Sequence, residues 1–164
     1  MRHALVLVAA LASGCGDNDD FDDDVDVDID ENDDGDDGDD PPPPGVLRWT
    51  ATITGYANYG TIAGVANVQM TNGAALFLAT VSLNSDIPGS VRPWHVHDGT
   101  CNSGGDIIGD DGDYPRLIID NAGTAAGEAV VDVGLVSGEA YHVNIHESDA
   151  QFTTLIACGD LVRL

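Results

Sequence analysis

The sequence predicts an all-β domain, an eight-stranded antiparallel sandwich or flattened barrel, set behind a disordered acidic tether. Three observations carry that expectation. Beyond residue 45, short apolar runs have the length and alternation of strands. Clusters of Gly, Asn and Asp punctuate those runs as turns do. No segment of useful length carries apolar residues at helical spacing.

The first strand is expected at 46–56 (VLRWTATITGY) and the second at 61–71 (TIAGVANVQMT), with Asn58 and Gly60 turning the chain between them. Asn72-Gly73 turns it again into a third strand at 75–83, which gives way to Asn84, Asp86 and Gly89. A fourth strand, 91–97, contains Trp94-His95-Val96-His97. The segment 98–115 is irregular, and a loop of that length is uncommon in a compact domain unless it has a function. Strands at 116–120, 128–133, 140–147 and 155–162 complete the set, separated by turns rich in Gly, Asn, Asp and Ser. The domain therefore spans 45–164, a size sufficient for one core.

What precedes it has a different character. Met1-Arg2-His3 and the apolar run 4–12 have the form of an export signal, since about 20 residues are needed to cross a bilayer. Leu11-Ala12-Ser13-Gly14-Cys15 resembles the lipobox of a bacterial lipoprotein signal. That resemblance implies a signal peptide at 1–14, lipidation of Cys15, and an outer-membrane lipoprotein of the bacterial envelope facing the periplasm or the cell surface. Two or three acyl chains make such an anchor in the membrane durable.

The stretch 17–40 carries 16 of the 29 acidic residues, and charge repulsion outweighs anything its four large apolar side chains can bury. Pro41-Pro42-Pro43-Pro44 extends this tether, 15–44, as a stiff polyproline segment. Fully extended, the part from Asp17 to Pro44 reaches roughly 90–100 Å. Its alternating aspartates lack the Gly-at-six and Glu-at-twelve register of a calcium hand. The domain itself sets 13 acidic residues against four arginines and no lysine, which argues against a nucleic-acid partner.

With Cys15 assigned to lipid, Cys101 and Cys158 remain as an even pair in an exported chain, where an oxidising compartment favours a disulfide. Four of the five histidines fall in two candidate strands. Alternation puts Trp94 and Val96 on one face, and His95 and His97 on the other with α-carbons about 6.6–6.8 Å apart. In the later strand Val143 and Ile145 face the core, while His142, Asn144 and His146 point away from it. His142 and His146 stand about 13 Å apart, too far to share one ion, so one of them at most joins the first pair. Three imidazoles suit copper or zinc, and such ligation weakens as pH falls through the imidazole range near 6.5.

The strand Trp94-His95-Val96-His97, the later Asn144-Ile145-His146-Glu147 and the closing Ala157-Cys158-Gly159 together resemble copper/zinc superoxide dismutase. The resemblance covers roughly residues 48–164 in strand order, with those three short motifs as its sharp points. It implies an eight-stranded Greek-key barrel, His95, His97 and His146 as ligands of one copper ion, and a Cys101–Cys158 disulfide. His142 has no counterpart. The family's zinc loop, with its histidines, is missing between Cys101 and Arg116, so no zinc site is expected. The family's superoxide-attracting arginine, three residues before the second cysteine, is replaced by Leu155, with Arg116 of the shortened loop as a candidate substitute.

A second, weaker resemblance is to the CHRD domain, carried by His95-Val96-His97-Asp98-Gly99 and Tyr141-His142-Val143-Asn144-Ile145-His146, without that family's closing motif. It implies a non-catalytic surface or adhesion module. A three-histidine zinc hydrolase fits the ligand type but lacks a recognisable general base.

Overall fold

A computed structural model describes residues 45–101 and 103–164. The expected export signal at 1–14, the expected lipidation at Cys15 and the expected tether at 15–44 lie outside the described residues.

The described chain is all β apart from three short 3₁₀ turns. Its strands are β1 (Val46–Gly55), β2 (Ala63–Thr71), β3 (Phe77–Asn84), β4 (Val91–Arg92), β5 (Trp94–Asp98), β6 (Leu117–Ile118), β7 (Ala125–Val131), β8 (Tyr141–His146) and β9 (Leu155–Arg163). Seven of them form one antiparallel sheet in the order β5-β8-β9-β1-β2-β3-β7, and β4 pairs with β6 separately. The large sheet curls until its two ends meet around one core. A Cβ on Gly127 of β7 would stand only 2.6 Å from Leu117 Cδ2 and 3.3 Å from Nε1 of Trp94 in β5. Glycine is what lets these two ends approach. Ile53, Phe77, Trp94, Leu117, Val131 and Ile145 are fully buried between them.

Alternation decides which face of the outer strands turns inward. In β2 every second residue is buried, and in β1 Trp49, Ala51 and Ile53 go in while Thr52 and Thr54 stay in water. In β5 and β8 this rule fails. All six residues of β8 and the first four of β5 are buried, so the histidine face expected to point outward is covered as well.

The cover is the long loop. It returns along the free edge of β5, with Ile108 N–H donating to Val96 O at 2.9 Å and Asp98 N–H to Asp106 O at 3.1 Å. An edge strand left bare would present unpaired backbone groups, and this return satisfies them. The loop then makes a 3₁₀ turn, Asp111–Asp113, closed by reciprocal bonds between Asp110 and Asp113. Its start is tied to β9 by the Cys101–Cys158 disulfide, whose α-carbons are 5.9 Å apart.

Three expected strands differ in the structure. The single strand at 91–97 is broken at Pro93, which has no N–H to give a ladder, so Val91–Arg92 turns to Leu117–Ile118 and Trp94–Asp98 joins β8. The strand expected at 116–120 contracts to Leu117–Ile118 for the same reason: β4 offers it only two partners. The strand expected at 128–133 begins earlier, at Ala125, because β3 supplies partners back to Leu83 even for the poor strand-formers Ala126 and Gly127. The remaining strands start and stop within two residues of their expected bounds.

Candidate metal centre

Strand β5 lies antiparallel to β8 with Trp94 opposite Ile145, His95 opposite Asn144 and His97 opposite His142. Trp94, Val96, Val143 and Ile145 have no exposure, and their burial in the core fixes the other face of both strands. On that face stand His95, His97, His142, Asn144 and His146, all buried. His146 sits one rung beyond the Trp94–Ile145 pair, where its N–H donates to Pro93 O at 2.9 Å, and the β8–β9 register slips at the same point. His146 is thereby held at the entrance of β5 beside His95.

One ligand nitrogen from each of His95, His97 and His146 falls within 4.8 Å of the others. Nitrogens that bind one ion at about 2.0–2.1 Å need only small side-chain adjustments from there. His142 does not join them. Its ring stacks on His97, centroids 5.3 Å apart and planes 23° from parallel, so the two rings lie side by side without converging.

The hydrogen bonds around the cluster assign the ring nitrogens. His97 Nδ1 is 2.9 Å from Gly105 O, and a carbonyl oxygen only accepts, so Nδ1 carries the proton and Nε2 keeps its lone pair. His95 Nε2 is 2.7 Å from Asp111 Oδ1. The Arg116 guanidinium holds the Asp111 carboxyl down at about 2, so this oxygen too only accepts, and the His95 lone pair is on Nδ1. His95 Nδ1, His97 Nε2 and both nitrogens of His146 are buried without any hydrogen-bond partner, as are both nitrogens of His142, which lies outside the converging group. Buried polar atoms are nearly always paired, and an unpaired set converging on one point is what metal ligands look like before they bind.

Aromatic rings roof the cluster. Phe152 stacks on His146 at 4.7 Å and 5° between planes, and Tyr114 meets His95 edge-on at 5.2 Å. Burial pushes the His95 and His146 imidazoles down to about 4, against which the Asp111 contact raises His95 only in part; burial lowers His97 as well. All three are therefore neutral at pH 7 with lone pairs ready. The window in which acid competes with a metal accordingly moves below the 6.5 of a free imidazole.

The same shift has a stability consequence. The folded state keeps these rings neutral while the unfolded chain takes up protons near pH 6.5, so stability is present above that pH and is lost as pH falls towards 4. The metal-free protein is expected to lose on the order of 3 kcal/mol for each of the two rings by about pH 4. Chemical denaturation at pH 7 and pH 4.5 checks this; equal midpoints would mean the rings are solvated in the native state.

Arg116, the one candidate for attracting an anion, is otherwise engaged. Its two Nη groups donate to the two Asp111 oxygens at 2.9 Å each, and its Nε donates to Asp149 at 2.8 Å. Leu155 stands opposite His146 in the β8–β9 ladder, so the position where the resemblance would put an arginine borders the cluster with an aliphatic side chain.

Asp111, Gly105 and Phe152 contact the cluster, and sequence reasoning did not single them out. Asp111 is one of four aspartates between Cys101 and Arg116, and nothing in their spacing marks which of them turns inward. Compared with known families and with curated proteins, the chain matches no family model and no curated sequence. Fold and site together define it as an all-β domain whose buried three-histidine cluster could hold a metal ion.

Proposed function

We propose that this chain is an exported lipoprotein, anchored in the envelope through Cys15, whose superoxide dismutase-like domain binds one copper ion through His95, His97 and His146. The observation that carries the reading is that these three buried rings, each with an unpartnered nitrogen, bring one ligand atom apiece within 4.8 Å of the others, while the protons of His95 and His97 are held by Asp111 and Gly105. Three neutral imidazoles with no carboxylate or thiolate among them suit copper, which also exceeds zinc in the general affinity order for nitrogen sites. The strand order, with β5 beside β8, β9 beside β1 and β3 beside β7, supports the Greek-key barrel that the sequence resemblance implies.

Copper held there supplies one-electron redox chemistry. The surrounding chain favours binding over turnover. Superoxide is an anion, Arg116 is neutralised by Asp111 and Asp149, Phe152 and Tyr114 roof the cluster, and the whole domain is acidic.

Titration with Cu(II) and Zn(II), followed by a superoxide-consumption assay on the loaded protein, tests both parts. The expected result is one copper per chain, held more tightly than zinc, with superoxide consumption at least about 100-fold below the diffusion ceiling near 10⁹ M⁻¹s⁻¹. Turnover near that ceiling would reverse the functional order and make the protein an efficient dismutase. Failure to take up either metal would leave the CHRD-like surface module as the surviving reading.

A further inference from the structure

The Asp111–Arg116–Asp149 chain of charges has no part in forming the metal cluster, yet it touches it at one atom. Asp111 is brought over His95 by the 3₁₀ turn Asp111–Asp113, itself closed by Asp110 and Asp113. Its Oδ1 accepts from His95 Nε2 at 2.7 Å. Both of its oxygens are also gripped by the Arg116 fork at 2.9 Å, and a planar guanidinium fixes the orientation of a carboxylate as well as its charge. His95 is a fully buried ring with its other nitrogen, Nδ1, unpartnered, and one of its nitrogens lies within 4.8 Å of ligand atoms of His97 and His146.

We propose that Asp111, oriented by Arg116, is the positioning residue of this site: it holds His95 in the Nε2–H form and aims Nδ1 at the metal. The inference rests on reading the three histidines as a metal site. Arg116 therefore acts on the metal through Asp111 and His95, and its charge serves the loop that closes the site. Asp149 lies one step further out; it bonds Arg116 but reaches neither Asp111 nor His95 by any hydrogen bond.

The expected consequences separate these roles. A carboxylate behind a metal-bound histidine fixes the tautomer and raises ligand basicity, and its removal typically costs 10- to 100-fold in metal affinity. Asp111→Ala should weaken Cu(II) binding by that factor and alter the copper hyperfine pattern in electron paramagnetic resonance. Asp111→Asn retains an acceptor without the charge and should fall between Asp111→Ala and the parent. Because it is nearly isosteric, it also keeps the test open if the alanine variant folds poorly. Asp149→Ala, which leaves the His95–Asp111 bond intact, should change affinity by less than about twofold.

The deciding readout needs no metal. In the full metal-free chain, ¹⁵N chemical shifts of the His95 ring should report a single Nε2–H tautomer, and Asp111→Ala should convert it to a mixture or to Nδ1–H. Unchanged tautomer and unchanged copper affinity in Asp111→Ala would overturn the proposal, as would an Asp149→Ala effect as large as that of Asp111→Ala, which would mean general loosening of the loop. Should the parent chain take up no copper at all, the metal-site reading fails by itself, while the tautomer measurement still decides whether Asp111 controls His95.

Discussion

His97→Ala is expected to abolish stoichiometric copper binding, with affinity lowered beyond the roughly 100-fold upper range seen for outer partners of a metal ligand. His97 Nε2 is one of three converging nitrogens, and the neighbouring ring that remains, His142, stacks beside it without pointing to the same place. His146→Ala should behave alike, whereas His142→Ala should retain the metal. The measurement is direct competition against a chromophoric copper chelator. Thermal unfolding gives an independent check, because a ligand at 100 times its dissociation constant stabilises the native state by about 2.7 kcal/mol. That corresponds to a midpoint rise on the order of 10 °C for a domain of this size, present in the parent and in His142→Ala and missing in the other two variants. Equal copper affinity in His97→Ala and the parent would remove the cluster from consideration.

At neutral pH, breaking the disulfide should have the largest effect on stability. Cys101 and Cys158 close a loop of 57 residues, worth about 4 kcal/mol in the chain-entropy account. That is a large fraction of the stability of an ordinary domain. The pair also anchors the loop that serves the cluster, since Cys101 N–H donates to Asp160 at 2.7 Å and the same loop later supplies Gly105 to His97 and Asp111 to His95. Cys158→Ala, or reduction of the native protein, should therefore lower the denaturant midpoint by an amount equivalent to about 4 kcal/mol and weaken metal binding at the same time. Loss of stability with unchanged copper affinity would show that the loop keeps its place through its backbone bonds to β5 alone.

Much of the architecture was legible because it depends on local pattern. The alternation of Trp49, Ala51 and Ile53 with threonines is enough to place β1, and Asn72-Gly73 is enough to end β2. Pro93 was readable in principle as a ladder break, since proline cannot donate, but the strand-forming Val91, Trp94 and Val96 on either side of it hid the change of partner. The histidine pair His95 and His97 was legible from its spacing, and Trp94 with Val96 set its face. Its exposure was not legible: strand alternation says which side a residue takes, and only the returning loop decides whether that side meets water.

What the sequence determined by itself was the strand content, the acidic character, the pairing of the last two cysteines and the choice of histidines able to share a face. Those follow from the order of residues along the chain and the two-residue period of a strand. The choice of His146 over His142 was implied by the resemblance, and the structure brings His146 to the pair; the tertiary structure alone decided that Asp111 and Gly105 set the tautomers and that Arg116 is occupied. Each of these turns on a ladder slip, a loop path or a ring orientation of a few ångströms. Such distances arise from contacts between residues far apart in sequence, and no local pattern encodes them.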